Sequence, residues 1–127
     1  MGDKFDFSGD FRGSIVNIKS KLENTQQIVG EIPSDDDASK QDLQQLIAQL
    51  STALEKIPPE KHEEVEAVAV TANSLVEQAK VPQPNRTILQ ITGEGLKQAA
   101  KNLADVAPTI LEIATQIVLA VSKLTHP

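Results

Sequence analysis

The chain has 127 residues, no cysteine, no tryptophan or tyrosine, three phenylalanines and a net charge of −6. One domain with one aliphatic core fits that length, and the missing thiols exclude disulfides, thiolate metal sites and cysteine nucleophiles. The charge is uneven, at −1 over residues 1–33, −7 over 34–79 and +2 over 80–127, and an acidic middle repels nucleic-acid phosphates.

Residues 4–19 read as extended. Phe5 and Phe7 alternate with Asp6 and Ser8, which is the strand period. Gly9-Asp10 supplies a two-residue turn, and Phe11, Val16 and Ile18 continue the run, so a short N-terminal β-hairpin is expected. The same stretch also fits a helical heptad through Ile15, Ile18, Leu22 and Val29. A helix to about residue 29 follows, with Gly30 ending it and Pro33 preventing its continuation.

A second helix is expected over 34–57. Ser34 and Asp37 resemble a capping box, and Asp35, Asp36 and Asp37 stand where the helix dipole favours negative charge. Leu43, Leu46, Ile47, Leu50, Leu54 and Ile57 form its apolar face. Pro58-Pro59 breaks the chain, and Pro59 suits a first helical turn. The next helix, to about residue 80, turns Val65, Val68, Ala69, Ala72, Leu75, Val76 and Ala79 inward. The short proline link predicts that these two helices form an antiparallel pair.

After Val81-Pro82-Gln83-Pro84, with Asn85 or Thr87 as cap, the chain carries a seven-residue repeat: Leu89, Leu96, Leu103, Ile110, Ile117 and Leu124. Ala99, Val106, Ile113 and Ala120 fill the companion position. The phase runs through Pro108, which predicts one helix over about 86–124, bent near the proline and roughly 58 Å long. The alternative is a break at Pro108, with Asp105 as cap and a further helix folding back. From 106 to 121 the only polar residues are Thr109, Glu112, Thr115 and Gln116. A helix so apolar must be covered by its own bundle or by another chain. The run spans about 24 Å against a hydrocarbon core near 30 Å, so a membrane-spanning role is not expected. Together these elements predict a mainly α protein: an antiparallel bundle of three to four helices over 20–127, behind an extended segment over 1–19.

No chemistry-bearing constellation stands out. His62 lacks the spaced partners of a helical metal site, and His126 lies in the last two residues. The Asp35–Asp37 run lacks the spacing, glycine and closing glutamate of a calcium loop. Gly93-Glu94-Gly95 lacks the lysine and hydroxyl of a phosphate loop and reads as close helix packing. No catalytic, cofactor-binding or metal residues are expected. The residues expected at an association surface are Phe5, Phe7, Phe11, Ile110, Ile113, Ile117 and Val121.

The segments Phe5-Asp6-Phe7-Ser8-Gly9-Asp10-Phe11-Arg12-Gly13 and Val16-Asn17-Ile18-Lys19-Ser20 are similar to an N-terminal motif of small uncharacterised cyanobacterial helical domains. So are Thr25-Gln26-Gln27-Ile28, Ile57-Pro58-Pro59-Glu60, Leu89-Gln90-Ile91-Thr92-Gly93-Glu94-Gly95-Leu96-Lys97 and Ala114-Thr115-Gln116-Ile117-Val118, so the resemblance spans nearly the whole chain. Such domains stand alone or beside signalling modules of the caspase-like, TIR or pentapeptide-repeat kind. The resemblance implies an interaction module of the bacterial cytoplasm, and the absent cysteines and absent apolar leader in residues 1–20 agree with that compartment. The expected function is non-enzymatic oligomerisation or adaptor activity, as a homo-oligomer or with a signalling-protein partner. The alternatives are conditional membrane association through 106–121 and an apolar-ligand carrier.

Overall fold

A computed structural model describes residues 7–125, with side chains described from Ile18 onward. Five helices follow one another: α1 (Phe7–Val29), α2 (Asp37–Glu55), α3 (His62–Ala79), α4 (Arg86–Lys101) and α5 (Pro108–Thr125), with a 3-10 turn at Pro59–Lys61 ahead of α3. No strand occurs among the described residues.

The expected hairpin is not found. Residues 4–6 lie outside the described residues, and from Phe7 onward the chain is helical. The heptad reading therefore prevails over the alternation of Phe5 and Phe7. Ile18, Leu22 and Val29 are buried along that helical stripe, with Thr25 in register between them. α1 runs straight through residue 19, where the sequence suggested a change from extended to helical structure. It ends in tightened turns, with Gly30 N–H donating to Gln27, Glu31 to Ile28 and Ile32 to Val29. Gly30 stops the helix without a left-handed backbone, and these turns seat Ile32 in the core.

α2 starts later than the capping-box pattern suggests. Its cap is Asp36, whose carboxylate accepts the Ser39 N–H at 3.0 Å and the Ser39 hydroxyl at 2.6 Å. Ser34 Oγ instead accepts the Asp36 N–H at 3.2 Å, shaping the turn ahead of the helix. The two Ser39 hydrogen bonds hold the Asp36 carboxyl below its ordinary value of 3.8, with the nearby Lys123 charge adding to the effect. At the head of α4, Asn85 performs the expected capping by accepting the Ile88 N–H at 3.0 Å.

The expected α2–α3 pair does not form. α2 packs on α1 and α5, and α3 on α1, α4 and α5. The Pro58-Pro59 link is short in residues, yet it carries the chain past α1 near Ile18. Ile18 of α1 shares a small cleft with Leu54 of α2 and Val65 of α3 there. At the other end, Gln26 and Gln44 exchange side-chain-to-backbone hydrogen bonds, each at 3.0 Å. Residue 18 is thus level with 54 and residue 26 with 44, so α1 and α2 are antiparallel. The Thr25–Asn73 contact at 2.6 Å and the Lys80–Glu31 ion pair at 3.7 Å place α3 parallel to α1. Thr25 Oγ1 also lies 2.8 Å from Lys21 O. The Thr25 hydroxyl thus has two acceptors within reach, the Lys21 carbonyl and Asn73 Oδ1.

The long helix over 86–124 is broken. α4 stops at Lys101 and α5 starts at Pro108. Proline has no N–H to donate and its ring opposes the carbonyl four residues back, here Ala104. The intervening residues keep near-helical turns, with Asn102 N–H donating to Gln98, Leu103 to Ala100, and Ala107 to Leu103. That tight reversal lays α5 back along α4, so Gly93 meets Val118 and Leu89 shares a cleft with Val121. The alternative break read from the sequence is therefore the observed one, except that the residue before α5 is Ala107. Asp105 pairs with Lys61 at 3.7 Å. All six residues of the seven-residue repeat are nevertheless buried, while Val106, inside the turn, is exposed.

The helices close a ring in the order α1, α2, α5, α4, α3, with α3 and α5 also meeting across it. The core is one continuous aliphatic cluster whose largest fully buried side chains include Leu22, Leu43, Leu50, Leu96, Ile110 and Ile117. The bundle thus has five helices where three to four were expected, because the N-terminal segment is helical and Pro108 divides the last helix.

Ile117→Ala should lower the unfolding free energy by about 2–5 kcal/mol. Leu119→Ala, on the same helix but at 64% exposure, should change it by less than about 0.5 kcal/mol; urea titration followed by circular dichroism checks both. Because the Asp36 carboxyl is held below its unfolded value, its contribution is present above pH 3.8 and is lost as pH falls through the lower folded value. Asp36→Ala should therefore lower Tm at neutral pH, and the gap to the parent should close as the acid limb is entered.

Candidate interaction surfaces

The residues expected at an association surface separate into two groups. Ile110, Ile113, Ile117 and Val121 are all buried by the chain's own helices. α5 meets α2, α3 and α4, so the bundle itself covers the apolar run that sequence reasoning left open to another chain. Phe5 lies outside the described residues, and Phe7 and Phe11 fall on the first turns of α1, ahead of the described side chains.

The position of α1 is informative at the backbone level. Ile18 is level with Val65, three residues into α3. The stretch Phe7–Ser14 of α1 therefore stands beyond the start of α3, a length of roughly 12 Å at 1.5 Å per residue. α2 ends at Glu55, next to Leu54 at the same level. Phe7, Phe11, Ile15, Ile18 and Leu22 are separated by steps of three and four residues, which is the spacing of one helix face.

Two clefts flank α5. The first, about 370 Å³, lies between α2 and α5 and is lined by Ser39, Asp42, Leu46, Gln49, Leu119 and Lys123. The second, about 310 Å³, has an apolar floor of Leu75, Leu89, Val118 and Val121 and a rim bearing Arg86 and Gln90. Its size lies at the lower end of small-ligand sites. Among the described residues, no group of three or more His, Asp or Glu side chains gathers as a metal site would require. Among the same residues, no helix is long and apolar enough to cross a membrane. Gln78 Oε1 is the buried side-chain oxygen that lacks a protein partner among them.

The Gly93-Glu94-Gly95 segment divides by face. A Cβ at Gly93 would stand 3.2 Å from Val118 Cγ1, so this glycine lets α4 approach α5 closely, as the sequence suggested. A Cβ at Gly95 would meet nothing within 4 Å. Gly95 therefore carries the glycine penalty of about 1 kcal/mol relative to alanine without a packing reason inside the chain. On the same outward side, Ile88 is 46% and Ile91 65% exposed. These three residues step by three and four along α4. Sequence reasoning missed this face because the stronger seven-residue repeat drew attention to Leu89 and Leu96. Its one signal was that Ile88 and Ile91 stand off that repeat.

Gly95→Ala should raise the unfolding free energy by about 0.5–1 kcal/mol at low protein concentration. Gly93→Leu should lower it by about 1–3 kcal/mol by forcing α4 from α5. Denaturant titration of the two variants beside the parent tests the division of faces.

No protein-family model, curated protein or solved structure matches the chain.

Proposed function

We propose that this chain is a non-enzymatic oligomerisation or adaptor module that associates through the leading end of α1. The observation that carries the reading is the extension of α1 past the level where α2 ends and α3 begins. A helix that continues an apolar spacing beyond its own bundle gains stability by burying that face elsewhere. Phe7 and Phe11 lie on this stretch, and Phe5 precedes it. Aromatic side chains bring large apolar area to an interface. A second copy is the simplest partner, since homo-oligomers with closed symmetry are the common case; a signalling protein presenting an apolar groove is the adaptor version of the same contact. Ile110, Ile113, Ile117 and Val121 take no part in it, being occupied within the bundle.

A second reading, an apolar-ligand carrier, is favoured by the cleft floored by Leu75, Leu89, Val118 and Val121. Arg86 at its rim would suit an acidic head group.

The solution mass should exceed the 13.7 kDa of one chain. Phe7→Asp combined with Phe11→Asp should return it to a monomer with the helical circular dichroism retained. Light scattering after size exclusion, with refractive-index detection because the chain has no Trp or Tyr, makes the measurement. A parent protein that is already monomeric removes self-association and leaves the adaptor and carrier readings, the second of which native mass spectrometry then addresses.

A further inference from the structure

We propose that the cleft between α3, α4 and α5 binds a single-chain amphiphile with a monoanionic head, a medium-chain fatty carboxylate, whose tail lies along Leu75, Leu89, Val118 and Val121 and whose carboxylate meets Arg86. This rests on the carrier reading and deepens it by naming the class of ligand.

The shape of the cleft comes from the contact between α4 and α5. At Gly93 the two helices are so close that a Cβ would stand 3.2 Å from Val118 Cγ1, and this contact closes the inner end. From there toward the start of α4 the helices leave a cleft of about 310 Å³, with Leu75 of α3 completing its lining. Along α5 it runs from Val118 to Thr125, roughly 10 Å at the rise of a helix, which is near the extended length of an octanoate chain. Four aliphatic side chains over that distance suit an alkyl tail.

Charge selects the head group. The protein carries −6 overall, yet residues 80–127 carry +2, and among the described residues Arg86 is the one charged side chain lining this cleft. No acidic residue occupies the first turn of α4. The ion pairs among the described residues, Lys61–Asp105, Lys80–Glu31 and Lys97–Glu94, leave Arg86 out. A guanidinium at the rim of an apolar cleft matches one planar carboxylate through two parallel N–H···O bonds. Gln90, four residues on and also at the rim, adds an amide donor on the same side of α4. The cleft between α2 and α5 makes the contrast: there Asp42 accompanies Lys123, so no net charge is left to choose a head group.

The test is an amide chemical-shift titration of the isotope-labelled chain at neutral pH with octanoate, octylammonium and octanol, each below its micelle concentration. The shifts produced by octanoate should centre on Leu89, Gln90, Val118 and Val121. Octanoate should bind about fivefold tighter than octylammonium, the worth of one exposed ion pair, although the net charge of the chain favours the cation. Arg86→Gln should abolish that preference and leave octanol binding unchanged. Ser122→Phe, which fills the cleft from its rim, should weaken all three ligands by at least about tenfold, since the tail then loses its place. Both substitutions fall at exposed positions, and circular dichroism checks that the helices are retained. Equal binding of octanoate and octylammonium to the parent, or an octanoate preference that survives Arg86→Gln, overturns the anionic class while the carrier reading stands. Binding that Ser122→Phe leaves unchanged, or no binding of any of the three, overturns both.

Discussion

The structure depends on the reversal at residues 102–107. Without it, α5 would continue away from α4 and leave Ile110, Ile113 and Ile117 without neighbours from their own chain. With it, α5 returns between α4 and α2 and closes the ring. The cause is local: Pro108 cannot donate to Ala104, and the chain uses the lost hydrogen bond as its turning point. The gain is distributed, since the most apolar helix of the protein then meets three others.

Closure also sets the size of the side chains on the crossing helices. α3 and α5 meet across the ring, and the buried face of α3 is built from Val65, Val68, Ala69, Ala72, Val76 and Ala79 with Leu75 as its one large member. Small residues allow that extra neighbour. Gly93 does the same for α4 against Val118. The larger Leu and Ile side chains of α2 and α5 then fill the remaining volume, and no aromatic is needed in the described core.

What the bundle leaves outside itself bears most directly on function. The apolar surface of α5 is largely consumed internally. The leading end of α1 and the outward stripe of α4 remain, and they differ in kind. The first is a helix that outruns its neighbours, and the second is a pattern of knobs and a notch on an otherwise polar face. On α4 the stripe brings Ile88 and Ile91 to the surface of the bundle.

The sequence by itself determined the helical class, the inward faces of α2, α3 and α4, a cap at Asn85 or Thr87 and the aliphatic nature of the core. Each of these follows from residue type and from a period of three to four residues, which the local backbone imposes. Tertiary structure decided what that period leaves ambiguous. Phe5 and Phe7 alternate like a strand while Ile15, Ile18, Leu22 and Val29 keep a helical spacing, and the burial of Ile18 and Leu22 in a bundle with α2 and α3 favours the helix. The repeat from Leu89 to Leu124 keeps its phase through Pro108 whether the chain bends or reverses, because near-helical turns preserve phase in either case. Neighbours were likewise beyond the sequence. Pro58-Pro59 fixes how many residues separate α2 from α3, but α1 passing beneath that link is what keeps the two helices apart. The same limit hid the α4 face: that Gly93 is covered and Gly95 open depends on where α5 lies, and only the folded chain places it.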